Sequence, residues 1–114
     1  MKSSELEVLR QVRLDGIVFV LDYLQIQFDT VLATFLKYPD VTVRDQTYEY
    51  GDQDYRNALC EFISEVVSTV DYEEDVSFCL NFDNGKIHIS LEPDQYTSPE
   101  IVVIDVAGEK SIVI

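Results

Sequence analysis

The dipeptide Asn84-Gly85, set between two alternating runs, constrains this chain more than any other feature. Asn-Gly is the strongest short hairpin signal, because a type I′ turn requires positive φ at both central residues. A two-residue turn there pairs Asp83 with Lys86, Phe82 with Ile87, Leu80 with Ile89 and Phe78 with Leu91. Every apolar side chain then meets an apolar partner, while Asn81 faces His88 and Cys79 faces Ser90 on the other side. A slip of one residue would turn the whole apolar set to water, so the two faces are firmly specified. The rest of the chain must fold around a half-buried antiparallel sheet.

Upstream, Ile17 to Leu21 and Leu24 to Phe28 read as strands, with Gln25 and Gln27 marking the wet face of the second. Asp22-Tyr23 and Asp29-Thr30 are the expected turns. A third strand over Val31 to Leu36 stops before Pro39, and Val41 to Val43 with Thr47 to Tyr50 suggests a shorter hairpin. Further strands are expected over Val66 to Tyr72, Ile101 to Val106 and Ser111 to Ile114, with turns at Glu73-Glu74-Asp75 and Ala107 to Lys110. An apolar last residue, Ile114, is expected to dock rather than fray.

One helix is expected over Asp54 to Glu65. Gly51 breaks the strand, Asp52 offers an N-cap, and Asp54 adds negative charge where the helix dipole favours it. Tyr55, Leu59, Phe62, Ile63 and Val66 form one apolar stripe, with Asn57, Glu61 and Glu65 off it. Ser4 to Val12 reads either as a short N-terminal helix capped by Ser4, with Leu6, Leu9 and Val12 on one face, or from Val8 to Leu14 as a strand. With 114 residues, 46% of them apolar, and no repeat or linker, the chain is expected to be a single domain over residues 1–114. The expected fold class is α+β: a largely antiparallel sheet, built from two meanders, packed against one main helix.

The charge narrows the function. Asp and Glu number 22 against 8 Lys and Arg, a net charge of -14. Such a chain repels a phosphate backbone and an anionic leaflet, so neither nucleic acid nor membrane is an expected partner. The start, Met1-Lys2-Ser3-Ser4-Glu5, meets acid before any apolar run, and the apolar run Ile17 to Leu21 is too short to span a bilayer. A cytoplasmic location is expected.

Chemistry-bearing residues are sparse. Cys60 and Cys79 form no C-x-x-C and read as two reduced thiols. His88, the single histidine, lies diagonal to Cys79 in the expected register, but no neighbour lowers the thiol's pKa. Three scattered Cys and His residues do not make a zinc site. Asp52-Gln53-Asp54 opens like a calcium loop, but Arg56 stands at the third ligand position. The four glycines are isolated, so no phosphate-cradling loop is built. No enzyme activity, no metal and no cofactor are expected.

Charge and aromatics concentrate together. Residues 45–75 hold ten acids against one base, Arg56, which is -9 of the total. The same stretch holds Tyr48, Tyr50, Tyr55 and Tyr72. Tyr55 belongs to the helix's core face, while Tyr48 and Tyr50 share one side of a short strand with Glu49 on the other. Tyrosine anchors ringed by acids suit a basic protein partner, the tyrosines supplying burial and the acids steering association. The plain alternative is a solvated acidic face that keeps the protein soluble. The candidate partner-binding residues are Tyr48, Glu49, Tyr50, Asp52, Asp54, Asp71, Glu73, Glu74 and Asp75.

Two stretches carry a family resemblance: Ile17-Val18-Phe19-Val20-Leu21-Asp22-Tyr23-Leu24-Gln25-Ile26-Gln27-Phe28-Asp29 with the Pro39 break, and Tyr50-Gly51-Asp52-Gln53-Asp54-Tyr55-Arg56-Asn57-Ala58-Leu59-Cys60 opening a helix. Over roughly residues 15 to 92 the chain resembles small acidic bacterial immunity proteins of contact-dependent inhibition and other polymorphic toxin systems. The resemblance implies a cytoplasmic protein that binds and blocks a cognate toxin domain, often a nuclease. It carries over no contact residues, because such families diverge at their binding surfaces. The expected function is neutralisation of a basic toxin domain by occlusion, with the protein a monomer or weak dimer. A non-catalytic interaction or regulatory module, homodimeric through a sheet edge, is the alternative.

Overall fold

The computed structural model describes residues 6–92, 101–109 and 111–114. The expected Ser4 cap and the Lys110 end of the last turn lie outside the described residues. A 3-10 turn at Leu6–Leu9 is followed by strands β1 (Leu14–Val20), β2 (Tyr23–Phe28), β3 (Val31–Phe35), β4 (Asp40–Val43) and β5 (Gln46–Tyr48). Then come helix α1 (Tyr55–Cys60) and strands β6 (Thr69–Glu73), β7 (Ser77–Phe82), β8 (Gly85–Ser90), β9 (Val102–Val106) and β10 (Ile112–Val113). The fold is α+β and largely antiparallel.

The strands divide into two five-stranded sheets, ordered β1-β2-β3-β9-β10 and β5-β4-β8-β7-β6. The chain changes sheets at Leu36 to Pro39, where proline has no N–H to continue the β2–β3 ladder. Each sheet turns one apolar face into a common core. Leu24, Ile26, Ala33, Phe35 and Ile104 come from the first sheet, and Val41, Phe78, Leu80, Ile87 and Ile89 from the second. Phe35 and Phe78 meet across it with ring centroids 6.2 Å apart. The main partner of each sheet is therefore the other sheet, and the helix contributes Tyr55, Ala58 and Leu59 to the core they share.

The β7–β8 hairpin keeps the expected faces with a different register. Leu80 lies opposite Ile87, Phe78 opposite Ile89 and Cys79 opposite His88, so each residue's partner moves by two. The turn is Asp83-Asn84, and neither residue takes positive φ. Strand β4 explains the shift: it pairs with β8 and sets Val43 opposite Gly85, with the Arg44 N–H donating to the Asn84 carbonyl at 3.1 Å. Gly85 therefore serves as a strand residue at a close backbone approach. The type I′ requirement, positive φ at both central residues, is met instead at Arg44 and Asp45 (47° and 69°), which join β4 to β5.

The helix is half as long as expected. It ends at Cys60, and Ser64 at φ 80° reverses the chain. The Ser64 N–H then donates to the Leu14 carbonyl, and the Leu14 N–H to the Glu65 carbonyl, stitching this segment to β1. Phe62 and Val67 are buried, whereas Ile63 and Val66 are 39% and 42% exposed, so the apolar stripe stops at Phe62. The N-cap position belongs to Asp54, which makes no side-chain cap bond. Asp52 instead turns its carboxylate back to accept from the Glu49 N–H at 2.7 Å. At the N-terminus the described segment, Leu6–Leu9, is a single 3-10 turn with Leu6 and Leu9 in the core.

Candidate functional site

The loop between β5 and α1 builds a tyrosine cluster. Tyr50, beyond the end of β5, is 54% exposed and stacks on Tyr38 with centroids 4.1 Å apart and planes 22° apart. Tyr55, in the first turn of α1, meets both rings edge-on at 5.9 and 6.1 Å. Two hydroxyls pin the cluster: Tyr55 donates to the Pro39 carbonyl and Tyr38 to the Val20 carbonyl, each at 2.5 Å. Burial pushes the Tyr55 phenol well above its ordinary pKa, helped by the charge of Asp40. Burial likewise raises Tyr38, so both remain hydrogen-bond donors at neutral pH.

Beside the cluster lies a cleft of 330 Å³ lined by Tyr50, Gly51, Asp52, Gln53, Tyr55 and Arg56. Gly51 takes φ 104°, a left-handed conformation that lets the chain leave β5 and enter the helix. Arg56 is the one base lining the cleft, its guanidinium 5.7 Å from the centroid of Phe19 and its charge felt by the Tyr38 phenol. Glu49, Asp52 and Asp54 are all exposed around this loop. The outcome is an exposed aromatic face on a pinned scaffold, bordered by carboxylates.

The nine candidate residues do not form one patch. Glu49, Tyr50, Asp52 and Asp54 gather at the β5 side of the second sheet. Asp71 and Glu73 lie on β6 with Glu74 and Asp75 in the following turn, at the opposite edge. Four strand spacings, about 19 Å, separate the two edges. Tyr48 also differs from expectation: it pairs with Val41 on the core side and is only partly exposed, so it does not share a surface with Tyr50. Tyr38 is the residue that the sequence reading missed. No periodicity marks it, and its only sequence signal is its place beside the Pro39 break.

The outward side of the second sheet carries a row running Asp40, His88, Cys79 and Asp71 across four strands. His88 Nε2 sits 3.1 Å from Thr42 Oγ1, and Thr42 in turn is 2.9 Å from Thr47 Oγ1. Burial lowers the His88 pKa and pushes the Cys79 thiol up to about 11. At neutral pH the facing pair is therefore thiol and neutral imidazole, the opposite of an activated thiolate–imidazolium. No polar or charged residue is fully buried among the described residues, and no three His, Cys, Asp or Glu side chains among them converge on a metal position. No described helix is long and apolar enough to cross a membrane. Compared with protein-family models, curated proteins and solved structures, the chain matches none.

Proposed function

We propose that this chain is an immunity protein that acts in the cytoplasm, binding and neutralising a cognate bacterial toxin domain by occlusion and performing no chemistry of its own. The observation that carries the reading is the exposed, pre-stacked Tyr50 on Tyr38 and Tyr55, bordered by Glu49, Asp52 and Asp54. A pinned aromatic with little rotamer freedom to lose is the kind of side chain that dominates interface energy. The surrounding carboxylates steer a basic partner, and a nuclease site, built to attract phosphate, is basic. The second acidic edge, Asp71 to Asp75, adds to the long-range field and lies too far away to share the same contact.

The test begins with the gene beside this one. Its C-terminal domain is co-expressed with the chain, and the pair is purified and assayed for growth rescue. Co-purification and rescue are expected, with Tyr50→Ala speeding dissociation at least tenfold. Tyr50 is more than half exposed, so this truncation spares the fold. Dissociation unchanged by Tyr50→Ala would remove the tyrosine cluster from the interface.

A further inference from the structure

Among the described residues, the two most exposed large hydrophobic side chains are Leu21 at 84% and Tyr50 at 54%. They follow strands of different sheets, yet one contact chain joins them. Leu21 and Asp22 form the two-residue turn between β1 and β2, since Val20 pairs with Tyr23. The Tyr38 hydroxyl donates to the Val20 carbonyl at 2.5 Å, and the Tyr38 ring stacks on Tyr50 at 4.1 Å. The Arg56 guanidinium, 5.7 Å from the Phe19 centroid, is a second tie between this loop and β1. Leu21 therefore stands one residue beyond the point where the first sheet is fastened to the tyrosine cluster. The fold itself does not use its side chain. Turn positions favour Gly, Pro, Asn, Asp and Ser, and neither Leu21 nor Asp22 takes positive φ, so a polar residue would turn the chain as well. A lone exposed leucine calls for no explanation, but one held beside an exposed, stacked tyrosine extends that aromatic surface into a patch across two sheets.

We propose, building on the tyrosine-loop reading on which this rests, that Leu21 is the second anchor of the partner-binding face, and that the occupant is a protein with an apolar socket rimmed by Lys and Arg. Charge selects that occupant. Exposed Asp22 adjoins Leu21, and exposed Glu49, Asp52 and Asp54 border Tyr50, against the two bases Lys37 and Arg56. A basic rim meets these carboxylates as the leucine and tyrosine are desolvated, whereas a second copy of this chain, itself at net charge -14, sets acid against acid. The two anchors also divide the labour of binding differently from the acids. Both are held by contacts to β1 and Tyr38 before the partner arrives, so little ordering is left to do on association. Removing an apolar anchor therefore acts on dissociation, while removing an exposed acid acts on the rate of encounter.

The probe is the C-terminal domain encoded by the adjacent gene, with association and dissociation rates measured against the full chain and its Leu21→Ser, Tyr50→Ala and Val76→Ser variants. Leu21→Ser should dissociate roughly tenfold faster at an unchanged association rate, the loss expected when a leucine can no longer be buried. Its thermal midpoint should match the wild type, because the side chain packs against nothing the fold needs; Leu21→Asn replaces it if the midpoint falls. Val76→Ser removes an apolar side chain that is 40% exposed in the turn after β6, at the far edge of the second sheet, and should dissociate like the wild type. Dissociation unchanged by Leu21→Ser but faster in Tyr50→Ala overturns the proposal and leaves the tyrosine-loop reading standing. Dissociation unchanged by both places the contact elsewhere and overturns the two together, as does a wild-type chain that does not bind the domain. A wild-type chain that dimerises alone in sedimentation velocity, through a contact that Leu21→Ser abolishes, makes a second copy the occupant and also overturns the proposal.

Discussion

A Cβ placed on Gly85 would stand 1.9 Å from the Thr42 carbonyl oxygen and 3.1 Å from the Val43 Cα. Both are backbone atoms of β4, so relief requires the β4–β8 ladder to move. Gly85→Ala should therefore destabilise by about 3 kcal/mol, at the upper end of overpacking costs, read as a shift in urea midpoint at unchanged slope. A loss below about 1 kcal/mol would mean that β4 does not press on residue 85. The cysteines give a residue-scale test with a pH signature. Cys60 is exposed, whereas burial raises the Cys79 thiol from 9.0 to about 11. At pH 8 an alkylating reagent should modify Cys60 first, and Cys79 should react faster as the pH rises toward 11, followed by mass spectrometry. The sign for stability follows from the same shift. The folded state holds this proton more tightly, so its contribution is complete below pH 9 and is lost as the pH rises through about 11. Equal labelling of both thiols at pH 8 would contradict the burial of Cys79.

At the scale of elements, the segment after the helix separates periodicity from burial. A helix continued to Glu65 would bury Ile63 and Val66, but the observed reversal at Ser64 exposes both. Ile63→Lys and Val66→Lys should each cost less than about 0.5 kcal/mol, as exposed substitutions do. Phe62→Ala, emptying a fully buried site whose ring lies tilted against Phe82 at 4.6 Å, should cost about 3–5 kcal/mol by the same unfolding measurement. A large loss from Ile63→Lys would restore the longer helix. The same segment shows what the sequence could reveal. Strands whose two faces differ, such as Leu24 to Phe28 or Phe78 to Phe82, were legible because one apolar set must face one core. The helix end was not, because Ser64 is held at positive φ by bonds to Leu14, fifty residues away in sequence. The turn type was hidden for a similar reason: β4 claims Gly85, and Arg44-Asp45 takes the I′ conformation without a glycine. At the candidate site, the β5–α1 loop with its acids could be read from composition. Tyr38 could not, since stacking on Tyr50 depends on how β3 crosses to β4.

For the whole molecule, the two-sheet core carries its acidic charge unevenly. The tyrosine loop lies at one edge of the second sheet, ringed by carboxylates and suited to a basic partner. Most of the -9 in residues 45–75 flanks the second sheet, at the β5–α1 loop on one side and at β6 and its turn on the other. Such a distribution acts mainly on the rate of encounter, because exposed charges steer diffusion and are screened by salt. The most direct test is the association rate constant for the partner that the proposed function requires, sought as the C-terminal domain encoded by the adjacent gene, measured across ionic strength for the wild-type chain and for the Glu49→Gln, Asp52→Asn, Asp54→Asn triple variant. The account predicts a wild-type rate that falls steeply with salt and a triple variant that associates more slowly with a flatter salt dependence. Identical rates and slopes for the two proteins would contradict it, leaving the acidic loop a solvated face.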